Sequence, residues 1–217
     1  IEHEGQTVAL LPCGTGLASS FNAEGVQKLY ALISEEMVNI GTHMLLGPGI
    51  NIHRLPLNGR NFEYLSEDPY LSGKIAAALV RGVARYGNSA TIKHFAANSQ
   101  EYFRRDVDAI MSERAAREIY LKSFEYAVRE GHPTSLMTSY NPINGIWSAN
   151  NYDLNTLILR EEWGYEGLVM TDWWPKLSAE KNDEYMNLIN MVEGQNDVYM
   201  PTTDALTFKD NLPTAIE

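Results

Sequence analysis

Apolar residues in this chain gather in short runs separated by amphipathic stretches. The runs are Val8–Cys13, His43–Gly47, Ala90–Phe95, Ser135–Tyr140, Leu168–Thr171 and Asp197–Met200. Most are nearly continuous rather than alternating, the pattern of strands buried on both faces of a parallel sheet. Between them the spacing predicts helices at about 23–40, 69–86, 113–130, 153–163 and 182–194. Asp68-Pro69 supplies an N-cap followed by proline in the first turn. Leu71, Ile75, Leu79 and Val83 then recur every four residues and form one apolar stripe. Ser112 can cap the next helix, in which Ala116, Ile119, Tyr120, Phe124, Ala127 and Val128 predict the buried face and Gly131 the stop. Strand followed by helix, about five times over, predicts βαβ units and a parallel sheet.

Two connections are longer than such units need, from Pro48 to Asp68 and from Ala96 to Met111. Long loops on a rigid α/β scaffold usually carry function. The tail from Thr202 onward has weak patterning, and no internal repeat or linker stands out.

Composition narrows the class. The 217 residues suffice for one sizeable core, and 44% of them are hydrophobic against 21% charged, as in an ordinary globular domain. The formal charge of −11 argues against a nucleic-acid or anionic-membrane partner. The single cysteine, Cys13, excludes an internal disulfide and fits a reducing, cytoplasmic compartment. No run approaches the ~20 apolar residues of a membrane span. The start at Ile1 leads us to expect further chain upstream.

The candidate chemistry lies just past the apolar runs. Lys93 and His94 come after Ala90–Ile92, Tyr140 and Asn141 after Leu136–Met137, and Asp172 after Leu168–Met170. In a parallel barrel, residues at these strand ends face the active site. Each also has a structural reading: Lys93-His94 as a satisfied buried pair, Tyr140 as a core aromatic, Asp172 as the cap of the next helix, and Trp173 and Trp174 as core. Met137 reads as packing near the site. No His-x-x-x-His, cysteine cluster, calcium loop or phosphate loop is present, so neither a metal nor a cofactor is expected. A Schiff-base role for Lys93 would imply an aldolase, which nothing else in the sequence supports.

The longer motifs are more specific. They are "GPGINIHRLPLNGRNFEYLSEDPYLSGK" (Gly47–Lys74), "IKHFAANSQEYFRR" (Ile92–Arg105), "SERAAREIYLKSFEYAV" (Ser112–Val128), "MTSYNPINGIWSANN" (Met137–Asn151) and "MTDWW" (Met170–Trp174). Together they closely resemble glycoside hydrolase family 3 of the β-glucosidase type, over about residues 8–201. The resemblance implies a TIM-type (β/α)8 barrel, incomplete here, with about six βα units. It implies a retaining, exo-acting β-glycosidase, most simply a β-glucosidase, with Asp172 as nucleophile. Arg60, Lys93, His94, Arg104 and Tyr140 match the residues that grip the sugar, and Trp173 matches the tryptophan bordering the acceptor; Met137 is placed beside them.

Cations there would also favour the ionised form of Asp172. The expected partner is a small-molecule β-glucoside or short β-linked oligosaccharide. In the family, the acid/base comes from a following domain and an Asp-Gly-Pro motif precedes the segment resembling Ile1–Pro12. Both are expected outside this chain, which alone should be nearly inactive. Glu101 is a tempting spare acid to which the family gives no such role. "FAANSQE" lacks the His-Asp loop of the N-acetylglucosaminidase branch. A β-xylosidase and a non-catalytic sugar-binding domain are the alternatives.

Overall fold

The computed structural model describes residues 2–3, 6–177 and 187–200. The elements begin with a hairpin of β1 (Glu2–His3) and β2 (Gln6–Thr7), then α1 (Gly14–Ala18) and α2 (Ala23–Asn39). Next come β3 (Met44–Leu45), α3 (Pro69–Val83) and β4 (Ser89–Phe95). A long helix over residues 113–131 comprises α4 (Glu113–Ala115), α5 (Lys122–Tyr126) and π-type turns at Ala116–Tyr120 and Ala127–Gly131. After it lie β5 (Ser135–Thr138), the hairpin β6 (Pro142–Ile143) and β7 (Ile146–Trp147), and a π-type helix at Asp153–Glu162. The described part closes with β8 (Leu168–Trp173), α6 (Leu188–Glu193) and β9 (Val198–Met200).

Strands β3, β4, β5, β8 and β9 form one parallel sheet in that order, with helices between successive strands. This is an incomplete (β/α) barrel, as the apolar runs and the resemblance predict. Several local signals hold. Asp68 caps α3 by accepting from the Tyr70 amide at 2.8 Å, and Ser112 accepts from the Ala115 amide at 3.2 Å. Ile75, Leu79 and Val83 are buried, and Leu71 packs beside them.

Two expectations fail. Val8–Cys13 forms no strand: Pro12 lacks a ladder donor, and the Ala9 amide instead donates to the Glu36 carboxylate of α2 at 3.1 Å. Ile119 is 41% exposed, and Leu121 takes the buried place expected for it. The turn at Ala116–Tyr120 is π-type, which rotates the following residues away from a 3.6-residue period. The helix ends at Gly131, as expected, and the chain turns away through left-handed His132. Of the helix expected at 182–194, positions 182–186 lie outside the described residues.

The sheet's two faces differ. Ile92, Leu136 and Val169 are register neighbours, fully buried against Ile75, Leu79 and Phe124. Phe95 continues this layer, with its ring centroid 5.0 Å from Phe124 and 5.9 Å from Trp163. Truncating Leu136 to alanine there would cost about 2–5 kcal/mol. The opposite, inner face begins with hydroxyls: Thr91 Oγ1 lies 2.6 Å from Ser135 Oγ. Met137 pairs in register with Met170 above them. Two residues on from Met170, and so on the same face, stands Asp172.

Candidate active site

The site forms where the parallel strands end. At β4 the ladder with β5 loses regular register between Ile92 and Phe95. Consecutive residues normally point to opposite faces, but here Lys93 and His94 both reach the same cluster of charges. The segment Pro48–Ile50 runs beside them: Lys93 N–H donates to the Pro48 carbonyl at 3.0 Å, and Ile50 N–H donates to the Lys93 carbonyl at 2.7 Å.

The long loop after Pro48 brings in Arg60, Glu63 and Tyr64. It is anchored by α1, an element without a clear sequence signal. Thr15 Oγ1 donates to the carbonyls of Asn61 and Tyr64 at 2.8 and 3.0 Å. Gly14 is required there, because a Cβ would lie 2.3 Å from the Glu63 carbonyl oxygen. The other long loop contributes Glu101, Arg104 and Arg105.

The charges pair unevenly. Arg60 Nε donates to Glu63 Oε1, and Glu101 Oε1 lies 3.7 Å from the same nitrogen. Lys93 Nζ is 3.9 Å from Glu63 Oε2, and Arg104 Nη1 is 3.2 Å from Glu101 Oε2. Asp172 is only 5% exposed, and among the described residues its one basic neighbour within 4 Å is His94, with 3.7 Å between Oδ2 and Nε2. Its Oδ1 accepts the Trp173 amide at 2.8 Å.

Burial pushes the Asp172 carboxyl above the ordinary aspartate value, outweighing the opposing pull of the Trp173 amide, Tyr140, Arg60 and Arg104. Arg60 and Arg104 favour the ionised form, the direction expected from sequence, but burial outweighs them. Burial, reinforced by Arg60, Lys93 and Arg104, holds His94 far below the usual histidine range. The imidazole is neutral, so its approach to Asp172 is not an ion pair. Burial also lowers Lys93, against the pull of Glu63.

Tyr140 stands between the two arginines and Asp172. The guanidinium carbons of Arg104 and Arg105 lie 4.6 and 4.9 Å from its ring centroid. Its hydroxyl donates to the Trp173 carbonyl at 2.6 Å, with the Asp172 carboxylate as a second acceptor within reach. Burial, followed by the charge of Asp172, raises the phenol. Trp173 and Trp174 are 37% and 41% exposed, which corrects the reading of them as core. Met137 is 1% exposed and lies one layer beneath Asp172, a floor rather than a wall.

The structure thus gathers Arg60, Lys93, His94, Arg104, Tyr140, Asp172 and Trp173 at one end of the sheet. Sequence reasoning assigned no part to Asn51, Glu63 or Tyr64, although all three lie in the loop whose motif was noted. A carboxylate three residues after an arginine on a long loop is the only signal that pointed to Glu63. Among the described residues, no group of three histidine, cysteine or acidic side chains is placed to hold a metal ion.

Fold and cluster together define an α/β-barrel protein whose site sets a buried acid beside a group of cations. The chain belongs to glycosyl hydrolase family 3: it matches the family's N-terminal domain over residues 2–217. It is 49% identical over 211 residues to a β-glucosidase of Ruminococcus albus, covering 95% of this chain and 22% of that protein. It is 51% identical over 162 residues to an exo-α-(1→6)-L-arabinopyranosidase of Bifidobacterium breve, covering 75% of this chain and 21% of that protein. Among solved structures, a β-glucosidase from Paenibacillus barengoltzii superposes with a TM-score of 0.91 at 54% identity, covering 96% of this chain and 23% of that one. β-Glucosidase 3B from Thermotoga neapolitana, in complex with α-D-glucose, superposes at 0.86 with 40% identity, covering 99% and 30%. The chain therefore spans about a fifth of the length of the curated relatives it matches.

Proposed function

We propose that this chain is the nucleophile-bearing part of a retaining, exo-acting β-glucosidase. The observation that carries the reading is the isolation of Asp172: among the described residues, a buried carboxylate without a permanently charged partner within ion-pair distance, surrounded by cations already paired to other acids. With Oδ1 bonded to the Trp173 amide, Oδ2 is the attacking oxygen. It forms a bond to the anomeric carbon as the bond to the leaving oxygen breaks, and a general acid protonates that oxygen. Water, deprotonated by the same group, then attacks the anomeric carbon and releases Asp172.

Arg60, Lys93, His94 and Arg104 grip the hydroxyls of the terminal sugar, and Tyr140 lies beside the charge that develops on the ring. Trp173 offers an aromatic face to the acceptor. Glu63 and Glu101 are committed to arginine and lysine, so neither is assigned as the acid/base; a domain following this chain supplies it, and the segment alone is nearly inactive. The substrate class is β-glucosides or short β-linked oligosaccharides. A pentopyranosidase is the second reading, supported by the arabinopyranosidase relative.

The test is trapping with a 2-fluoro glucoside bearing a good leaving group, on the full-length protein. The label should reside on Asp172. A label on any other carboxylate overturns the assignment, and reversible binding without label or turnover favours a sugar-binding protein. Faster trapping by a 2-fluoro pentopyranoside would favour the second reading.

A further inference from the structure

His94 is held on every side, and the pattern of donors around it fixes more than its position. Its backbone is clamped by a buried amide: His94 N–H donates to Asn51 Oδ1 at 2.9 Å, and Asn51 Nδ2 donates to the His94 carbonyl at 2.8 Å. Its ring nitrogens face two different groups. Nε2 lies 2.9 Å from Arg60 Nη2, and Nδ1 lies 3.3 Å from the Tyr64 hydroxyl. A guanidinium carries only N–H donors, so Nε2 must present its lone pair. A neutral imidazole then carries its proton on Nδ1, which donates to the Tyr64 oxygen.

Tyr64 is itself wedged in place. It is fully buried, its ring meets the His94 ring edge-on at 6.2 Å, and its carbonyl accepts from Thr15. Gly49 passes so close that an added Cβ would come within 2.9 Å of Tyr64 Cδ1.

We infer that Tyr64 is a positioning residue that holds His94 as the Nδ1-protonated tautomer, turning the Nε2 lone pair to Arg60 and keeping an N–H away from Asp172 Oδ2. The consequence reaches Asp172 through His94. With the other tautomer, the Nε2 hydrogen would point at Arg60 Nη2, 2.9 Å away, and two donors would oppose each other there, with Asp172 Oδ2 3.7 Å from the same nitrogen. Relieving that clash displaces the arginine that grips the sugar, or turns the imidazole so that its N–H ties up the attacking oxygen. The kinetic part of this inference rests on the glycosidase reading; the tautomer does not.

The experiment separates the two. In the unliganded full-length protein, 15N chemical shifts of the His94 ring, assigned by their loss in His94→Gln, should show a protonated Nδ1 and a bare Nε2. A protonated Nε2 overturns the inference whatever the enzyme's activity. Tyr64→Phe should mix the tautomers and lower kcat/KM for a nitrophenyl glucoside by roughly ten- to a hundredfold, the range for orphaning a buried donor. Gly49→Ala, which displaces the ring without touching His94, should act in the same direction.

In a His94→Ala background, Tyr64→Phe should cost nothing further in kcat/KM, because its effect passes through the imidazole. The same fold-loss in that background marks Tyr64 as merely structural and also overturns the inference. If Tyr64→Phe fails to fold, the wild-type spectrum still decides. If trapping fails to label Asp172 while Nδ1 is protonated, the functional reading falls and the tautomer assignment stands.

Discussion

Three carboxylates approach the mouth of this half-built barrel, and the fold treats them in opposite ways. Glu63 and Glu101 come from the two long loops and are bound up with Arg60, Lys93 and Arg104. Asp172 comes from a strand end, is more deeply buried, and among the described residues has only a neutral imidazole within 4 Å as a basic neighbour. A buried charge is normally paired or neutralised. Here the pairing falls on the loop acids, so the cations stay oriented and still leave the strand acid chemically available. Position within the barrel explains the division: a side chain on a central strand cannot swing out to meet a partner, whereas loop residues can.

Substitutions can break this comparison from either side. The largest effect should come from Asp172→Asn, which should lower kcat for a nitrophenyl glucoside by at least about 10⁴-fold in the full-length protein. Glu63→Gln should cost less, about 100-fold in kcat/KM, because Arg60 and Lys93 lose the group that orients them. If Glu63→Gln proved as damaging as Asp172→Asn in trapping as well as turnover, the two acids would not differ as described. Removing the Tyr140 hydroxyl by Tyr140→Phe should cost about 10-fold, the worth of one hydrogen bond near charge.

The smallest effect is on stability, and its sign tells whether Asp172 is paired. Asp172 has a folded value raised above the unfolded one, so the native state binds its proton more tightly. Stability from this group therefore falls as pH rises through the folded value. At neutral pH Asp172→Asn should melt at a higher temperature than the wild type, and the gap should close as pH falls toward the ordinary aspartate value. A lower melting temperature at neutral pH would mean that Asp172 is a paired structural acid.

Much of the scaffold was legible because burial leaves a periodic trace. Continuous apolar runs marked β4, β5 and β8, and Asp68-Pro69 and Ser112 marked helix starts. What sequence missed lies where that trace is lost. The π-type turn at Ala116–Tyr120 shifted the helix face, so Ile119 was wrongly placed inside. Pro12 and the Glu36 carboxylate kept Val8–Cys13 out of the sheet despite its hydrophobicity.

The site divides in the same way. Lys93, His94, Tyr140 and Asp172 could be found at strand ends, and Arg60, Arg104 and Trp173 through the family motifs. Asn51 and Tyr64 act on His94, 43 and 30 positions away, which no local pattern encodes, whereas Glu63 pairs with its near neighbour Arg60 and reaches Lys93 as well. The balance between burial and cations at Asp172 likewise depends on packing that the sequence does not display.

The central claim is that Asp172 is the available acid and that burial raises it. The most direct measurement is the pH dependence of covalent trapping of the full-length protein by a 2-fluoro glucoside, with the labelled peptide identified at each pH. The label should fall on Asp172 at every pH, with a rate that falls, as pH falls, through one ionisation lying above the ordinary aspartate value. A label on Glu63 or Glu101, or a rate that persists unchanged to pH below that value, would contradict it.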